Sequence, residues 1–171
     1  MILNANGIPV EIRDATPADV PLLLSFIRKM GEFEKLPVSA TEDSLRDALF
    51  GETPAARALL VYTNAKPVAY ATYFFSFTSM RGRRALWLDD LFVAPEFRGK
   101  GIGKVLMAYV ARIAAEHRCA RFEWIVLDWN TDAIEFYQRL GAEFLADWRV
   151  CRLDEAEMQR VAETLPPDAA E

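Results

Sequence analysis

Apolar and polar positions change period several times along the chain, and each change marks an element. Val10-Glu11-Ile12-Arg13 alternates apolar and charged residues, the period-2 pattern of a half-buried strand. Val20, Leu23, Leu24, Ile27 and Met30 recur at helical spacing behind Thr16-Pro17, a pair suited to a helix start. Gly31 is expected to interrupt that stripe ahead of Glu32-Phe33-Glu34-Lys35-Leu36, and Pro37 ends it. Thr41 opens a second helix with Glu42 and Asp43 in its first turn, where the helix dipole favours anions. Leu45 and Leu49 are its core positions, and Gly51 follows its end.

Residues 58–62, 68–77 and 85–93 read as a meander of three strands, divided by turn signals at Asn64-Ala65-Lys66-Pro67 and Arg81-Gly82-Arg83. A glycine-rich segment then leads into a helix with Ile102, Leu106, Val110 and Ile113 on one face. Residues 122–127 read as a strand. Asn130 or Thr131 caps a helix carrying Ile134, Tyr137 and Leu140, and Gly141 sits where a left-handed stop is wanted. Residues 144–153 are expected to return as a strand and 154–165 as a short amphipathic helix. Strands and helices in this order predict an α/β (α+β) protein, one domain over residues 1–165 with a flexible tail at 166–171.

Composition narrows the possible functions. A chain of 171 residues that is 52% hydrophobic can bury one core and is not a disordered segment. Its net charge of −5, with no basic block, argues against nonspecific nucleic-acid binding. The longest uncharged run, residues 67–80, is shorter than the roughly 20 residues of a membrane span. The N-terminus lacks the basic start of a signal peptide. With only Cys119, Cys151 and His117, there is neither a disulfide framework nor a cysteine–histidine metal site, and we expect no metal. These features predict a soluble protein of the cytoplasm, with the two cysteines as small buried side chains and His117 outside the chemistry.

The loop Arg98-Gly99-Lys100-Gly101-Ile102-Gly103, between a strand and a helix, presents backbone N–H groups at a helix N-terminus, an arrangement that takes anions. Its spacing fits neither common nucleotide motif. A dinucleotide fingerprint needs a glycine where Lys104 stands, and a P-loop needs Ser or Thr where Val105 stands. Taken alone, the loop is equally a glycine-rich turn before a well-formed helix.

The wider stretch Val93-Ala94-Pro95-Glu96-Phe97-Arg98-Gly99-Lys100-Gly101-Ile102-Gly103 resembles the acyl-CoA pyrophosphate motif of the GNAT N-acetyltransferases, Q/R-x-x-G-x-G/A. Gly31-Glu32-Phe33-Glu34-Lys35-Leu36, Trp87-Leu88-Asp89-Asp90-Leu91-Phe92-Val93, Val126-Leu127-Asp128-Trp129-Asn130 and Ile134-Glu135-Phe136-Tyr137-Gln138-Arg139-Leu140-Gly141-Ala142 are similar to the diamine (spermidine/spermine and thialysine) branch. The resemblance implies a GNAT fold: a mixed, mostly antiparallel central sheet flanked by helices, with strands splayed around the acyl-CoA site. It implies that Leu91, Phe92 and Val93 line acetyl-CoA, with the backbone of Leu91 and Val93 pairing with its arm and Phe92 turned into the core. Arg98, Gly99, Lys100, Gly101, Ile102, Gly103 and Lys104 would cradle the pyrophosphate, and Asn130, Asp132, Ala133 and Tyr137 would complete the acyl-CoA contacts.

By the same resemblance Tyr137 protonates the departing thiolate, a role suited to a phenol that is neutral at pH 7. Asp89 and Asp90 are candidates for receiving the amine's proton. Without a bulge, adjacent strand residues face opposite sides, and one surface and one salt-bridged carboxylate would then explain the pair equally well. Phe33, Glu34, Asp89, Glu123, Trp124 and Ile125 match substrate-binding positions. Where polyamine enzymes carry D-P-W-x-G, this chain has Thr78-Ser79-Met80-Arg81-Gly82-Arg83, followed by Arg84. A short diamine, or an amino acid whose carboxylate meets one of these arginines, is expected over spermine. The resemblance further implies a homodimer with late strands at its interface. A non-catalytic acyl-CoA-binding module, or an enzyme acting on protein N-termini or lysines, is the alternative.

Overall fold

Asn6 and Gly7, both at positive φ (51° and 90°), turn the chain between β1 (Ile2–Ala5) and β2 (Ile8–Asp14). This hairpin is the first element of a computed structural model that describes residues 2–165; the tail expected at 166–171 lies outside the described residues. The chain divides into two compact units, Met1–Ile125 and Val126–Glu171.

The first unit holds β3 (Arg57–Thr63), β4 (Lys66–Thr78), β5 (Arg83–Val93) and β6 (Phe122–Glu123), which join β1 and β2 in one sheet in sequence order. Neighbours are antiparallel except β5 and β6, which run parallel. Three helices flank the sheet: α1 (Val20–Glu34), α2 (Glu42–Phe50) and α3 (Ile102–Glu116). Leu23, Phe26 and Leu49 pack with Ala58, Leu60, Tyr70 and Phe92 in one buried cluster. The alternate strand residues Leu59 and Val61 are equally buried. They face the other side of the sheet, where α3 lies against β1, β4 and β5 and buries Ile102, Leu106 and Val110. Each fully buried side chain of this kind contributes about 1.5–3 kcal/mol. The mixed sheet with helices around it is the architecture the motifs implied.

Thr41 caps α2 by accepting the Ser44 N–H, and Ser44 returns the bond to the Thr41 N–H (3.1 and 2.9 Å). Gly31, expected to break the first helix, lies inside α1. The side chain it lacks would fall 2.4 Å from Val38 Cγ2, so its absence makes room for the chain that returns past it. The helix ends instead at Lys35, which adopts a left-handed φ of 57°, and the Leu36 N–H reaches the Gly31 carbonyl at 2.9 Å.

In the second unit, Asn130 caps α4 (Thr131–Arg139) by accepting the Ala133 N–H at 3.3 Å, and Gly141 follows at φ 83°. Asp154 caps α5 (Glu155–Ala162). Two strand expectations are corrected. The strand read at 122–127 is only the two residues of β6, and 144–153 carries no strand. Phe144, Leu145, Trp148, Val150 and Leu153 in that segment are exposed. A lone strand has unpaired N–H and C=O groups on both edges, and no second strand lies in this unit among the described residues.

Candidate active site

The first unit has an open sheet edge. β6 pairs with β5 only at Leu86↔Phe122 and Trp87↔Glu123. Beyond Trp87 the outer side of β5 meets no strand among the described residues. On the inner side, the Ala94 N–H donates to the Val68 carbonyl at 2.9 Å, and the register continues as Ala69↔Val93, Tyr70↔Phe92 and Ala71↔Leu91. In an antiparallel ladder, hydrogen-bonded and non-bonded pairs alternate. Phe92 therefore directs its N–H and C=O towards β4, while Leu91 and Val93 direct theirs outward. Phe92 itself is buried against Phe26 and Tyr70 (ring centroids 6.0 and 6.2 Å).

The glycine loop follows directly. Gly99 and Gly101 hold φ of 71° and 83°, which glycine adopts without strain. A side chain at 101 would come within 2.9 Å of the Asn6 amide, so the β1–β2 hairpin lies close beneath the loop. The first bond inside α3 is Val105 N–H to the Gly101 carbonyl (3.1 Å), which leaves the N–H groups of Ile102, Gly103 and Lys104 without a helical acceptor. The loop's charged side chains are engaged elsewhere. Arg98 Nε donates to the Val93 carbonyl at 2.9 Å, and its guanidinium lies 4.4 Å from the Phe33 ring centre and 5.6 Å from that of Phe92. Lys100 Nζ donates to the Glu96 carbonyl at 2.8 Å. What the loop offers an anion is its backbone.

The carboxylates gather on β5 and at the end of α1. The β4–β5 register slips between Thr72 and Tyr73: Thr72 faces Asp90, Tyr73 faces Leu88, and Asp89 is the extra residue of a bulge. The bulge removes the strict alternation that would have separated the two aspartates. Asp90 is desolvated, lies within the field of Asp89, and accepts a bond from the Tyr70 hydroxyl at 3.0 Å. Burial and Asp89 push its pKa up to about 6, with Tyr70 pulling the other way. Asp89 is exposed, and the partial desolvation of its carboxyl raises it as well; burial raises Glu34 on the last turn of α1, whose charge reaches both Tyr70 and Asp90. Tyr70 was missed in the sequence. Its only signal there was a phenol among the small residues of Val68-Ala69-Tyr70-Ala71-Thr72.

The other expected residues make contacts of their own. Glu123 is paired with Arg121 at 2.6 Å, Trp124 packs on Phe122 with centroids 5.0 Å apart, and Ile125 is exposed. Arg83 and Arg84 line a groove with Phe75, His117 and Arg118. Arg84 pairs with Phe77 and Asp90 with Thr72, five rungs apart on the β4–β5 ladder, roughly 17 Å. Arg83 and Arg84 thus stand up the strand from the carboxylates. In the second unit, Tyr137 is the buried side chain of α4, and Asp132 and Ala133 lie in that helix's first turn. The Asn130 oxygen caps the helix, which leaves its amide hydrogens as donors. Among the described residues no group of His, Cys, Asp and Glu is arranged to hold a metal ion.

Known proteins share this organisation. The family model described as Acetyltransferase (GNAT) family matches residues 26–142. A thialysine N-epsilon-acetyltransferase of Bos taurus is 36% identical over 166 residues, spanning 90% of this chain and 97% of its own. An L-ornithine N5-acetyltransferase of Arabidopsis thaliana is 28% identical over 88% of this chain and 87% of its own. Among solved structures, an integron cassette protein from the mobile metagenome of V. cholerae superposes with a TM-score of 0.75 at 28% identity, covering 91% of this chain and 98% of the other.

Proposed function

The chain belongs to the GNAT family of acetyltransferases, and from that premise we propose how its residues acetylate a small-molecule amine and which amine they take. The enzyme moves an acetyl group from acetyl-CoA to nitrogen. The observation that carries the assignment of roles is the open edge of β5, continuous with the N–H groups of the glycine loop.

The outward N–H and C=O groups of Leu91 and the N–H of Val93 pair with the acyl-CoA arm as a neighbouring strand would. The Val93 carbonyl, held by Arg98, stays with the protein. The backbone of residues 98–104 receives the pyrophosphate, and the Asn130 amide, Asp132 and Ala133 complete the contacts. Glu34 and Asp89 attract the cationic acceptor. Asp90 takes the ammonium proton, directly or through one water, and with a pKa of about 6 it is ionised at neutral pH yet basic enough to act. The freed amine attacks the thioester carbon, the N–C bond forms, and an outward N–H of β5 stabilises the oxyanion. As the C–S bond breaks, Tyr137 supplies the proton to the thiolate. Phe33, Glu123, Trp124 and Ile125 border the acceptor.

Asp90, within the field of both Asp89 and Glu34, suits a compact cation with one or two amines. The relatives named for thialysine and ornithine support a lysine-like amino acid or short diamine over spermine. We further assign the enzyme to a homodimer. The exposed side chains of 144–153, Trp148 at 77% among them, support an interface there. Cys119 is half-buried and Cys151 exposed, where both were expected to be buried, and as free thiols the two fit a reducing cytoplasm.

The test is thiol release from acetyl-CoA with L-ornithine, thialysine, L-lysine, putrescine and spermine as acceptors. Turnover fastest with an amino acid or short diamine supports the reading. Release with none of them, despite calorimetric binding of CoA, would leave only a binding module.

A further inference from the structure

The carboxylate assigned to proton transfer has a partner that the family motifs do not include. Tyr70 is fully buried, with its ring stacked on Phe26 (centroids 5.8 Å apart, planes 16° apart) and its hydroxyl 3.0 Å from Asp90 Oδ2. The register pairs Tyr70 with Phe92 and Thr72 with Asp90, so the phenol reaches Asp90 diagonally across the ladder. We infer that Tyr70 is a positioning residue for the acetyl-transfer reaction: its hydroxyl fixes the Asp90 carboxylate in one orientation and holds it in the ionised form that can accept a proton. The inference rests on the role given to Asp90 above.

The surroundings explain why such a donor is needed. Asp90 is faced by Asp89 from its own strand and by Glu34 from α1, and both favour its protonation, as does burial. A protonated Asp90 could not receive the amine's proton. Thr72 lies near enough to favour the ionised form, but its hydroxyl makes no hydrogen bond among the described residues. The Arg98 guanidinium is directed to Phe33, Phe92 and the Val93 carbonyl. Tyr70 is therefore the hydroxyl that bonds the carboxylate. Its second neighbour, Met30 Sδ at 3.5 Å, is a weak acceptor and does not compete. The phenol cannot give up its proton, because burial and the nearby carboxylates raise its pKa steeply. It acts only as a donor.

Tyr70→Phe keeps the ring and its stacking and removes the bond. The pH profile of kcat is measured with the fastest acceptor of the panel. The acid limb is expected to move up by about one unit, the size of one hydrogen bond to a charged group. Activity then falls about tenfold on that limb and recovers at alkaline pH, while KM for acetyl-CoA is unchanged. A carboxyl 13C NMR titration of Asp90 reads the same shift without turnover. 3-Fluorotyrosine at position 70, a stronger donor of nearly the same shape, moves the limb to lower pH and keeps the test open if the Phe variant folds poorly. A limb that stays in place in both variants, with activity lowered equally at every pH, overturns the role of Tyr70. Asp90→Asn separates the two readings. If it retains parental turnover and the limb, the assignment of Asp90 has failed and the inference falls with it. If it abolishes the limb while the Tyr70 variants leave it unmoved, the inference alone has failed.

Discussion

A methyl group at position 31 should weaken the protein, against the usual direction of such a change. Gly31 lies in the interior of α1, where alanine is normally better by about 1 kcal/mol because it restricts the unfolded chain. Here the new Cβ would meet Val38 Cγ2 at 2.4 Å and the Leu36 carbonyl oxygen at 3.0 Å. Val38 can rotate a methyl away. Leu36 is tied by its N–H to the Gly31 carbonyl at 2.9 Å and moves only with the turn. Overpacking of this kind costs about 1–3 kcal/mol, so the clash offsets the helical gain and leaves a net loss of about 1 kcal/mol. For a chain of this size that lowers Tm by about 2–4 °C. Val38→Ala in the Gly31→Ala background removes the side-chain obstacle but leaves the Leu36 carbonyl, and should restore only part of the loss. The turn also carries Glu34, so Gly31→Ala should raise KM for the amine while leaving KM for acetyl-CoA unchanged. Thermal unfolding of the two variants, with both KM values, decides the matter. A Gly31→Ala protein more stable than its parent would refute the packing argument.

Three other outcomes are expected. Tyr137→Phe should bind CoA in calorimetry as the parent does and lose about 10²-fold or more in kcat, the usual contribution of a general acid; unchanged kcat would remove Tyr137 from the reaction. Asp90→Asn should abolish turnover yet stabilise the fold above pH 6. The native carboxyl holds its proton up to about pH 6, against 3.8 for a free aspartate, so its favourable contribution at low pH is lost as pH rises between those values. The variant should unfold about 2–3 kcal/mol less readily at pH 7.5 and show no gain at pH 3.5, in urea titrations at the two pH values. Asp19→Asn has the opposite dependence. Arg13 grips Asp19 through two bonds of 2.7 and 2.8 Å and holds its pKa well below the usual carboxylate range. That contribution is present above about pH 4 and is lost as pH falls. The variant should lose about 1 kcal/mol at pH 7, a value reduced by the partial exposure of Arg13, and little at pH 2.

What could be read from the chain was whatever local chemistry decides. Helical spacing located α1, α2, α3 and α4, and Asn130, Gly141 and Thr41 stand where capping preferences put them. Glycines 99 and 101 marked the loop because positive φ is costly for other residues. Long-range pairing was less accessible. The Asn6-Gly7 turn is a strong hairpin signal, yet only pairing with β2 makes a strand of residues as exposed as Ile2. The slip beside Asp89 depends on how β4 meets β5, so two adjacent aspartates could be read either as partners or as opposites. Gly31 looked like a helix break because a missing side chain records no reason for its absence. The reason is Val38, seven residues later. The segment 144–153 carries the composition of a strand, but composition does not supply the neighbour a strand requires.

The extra residue at Asp89 gives this stretch an arithmetic of its own. Five residues here, Trp87 to Leu91, stand against four of β4, Ala71 to Phe74. Deleting either aspartate would close the slip and leave Leu88 opposite Tyr73 and Phe92 opposite Tyr70, so the buried faces on both sides would keep their places. What would go is the second carboxylate at that rung. Shortening the strand by one residue should therefore spare the fold and cost the chemistry, whereas replacing both aspartates with asparagine would keep the bulge and lose the charge.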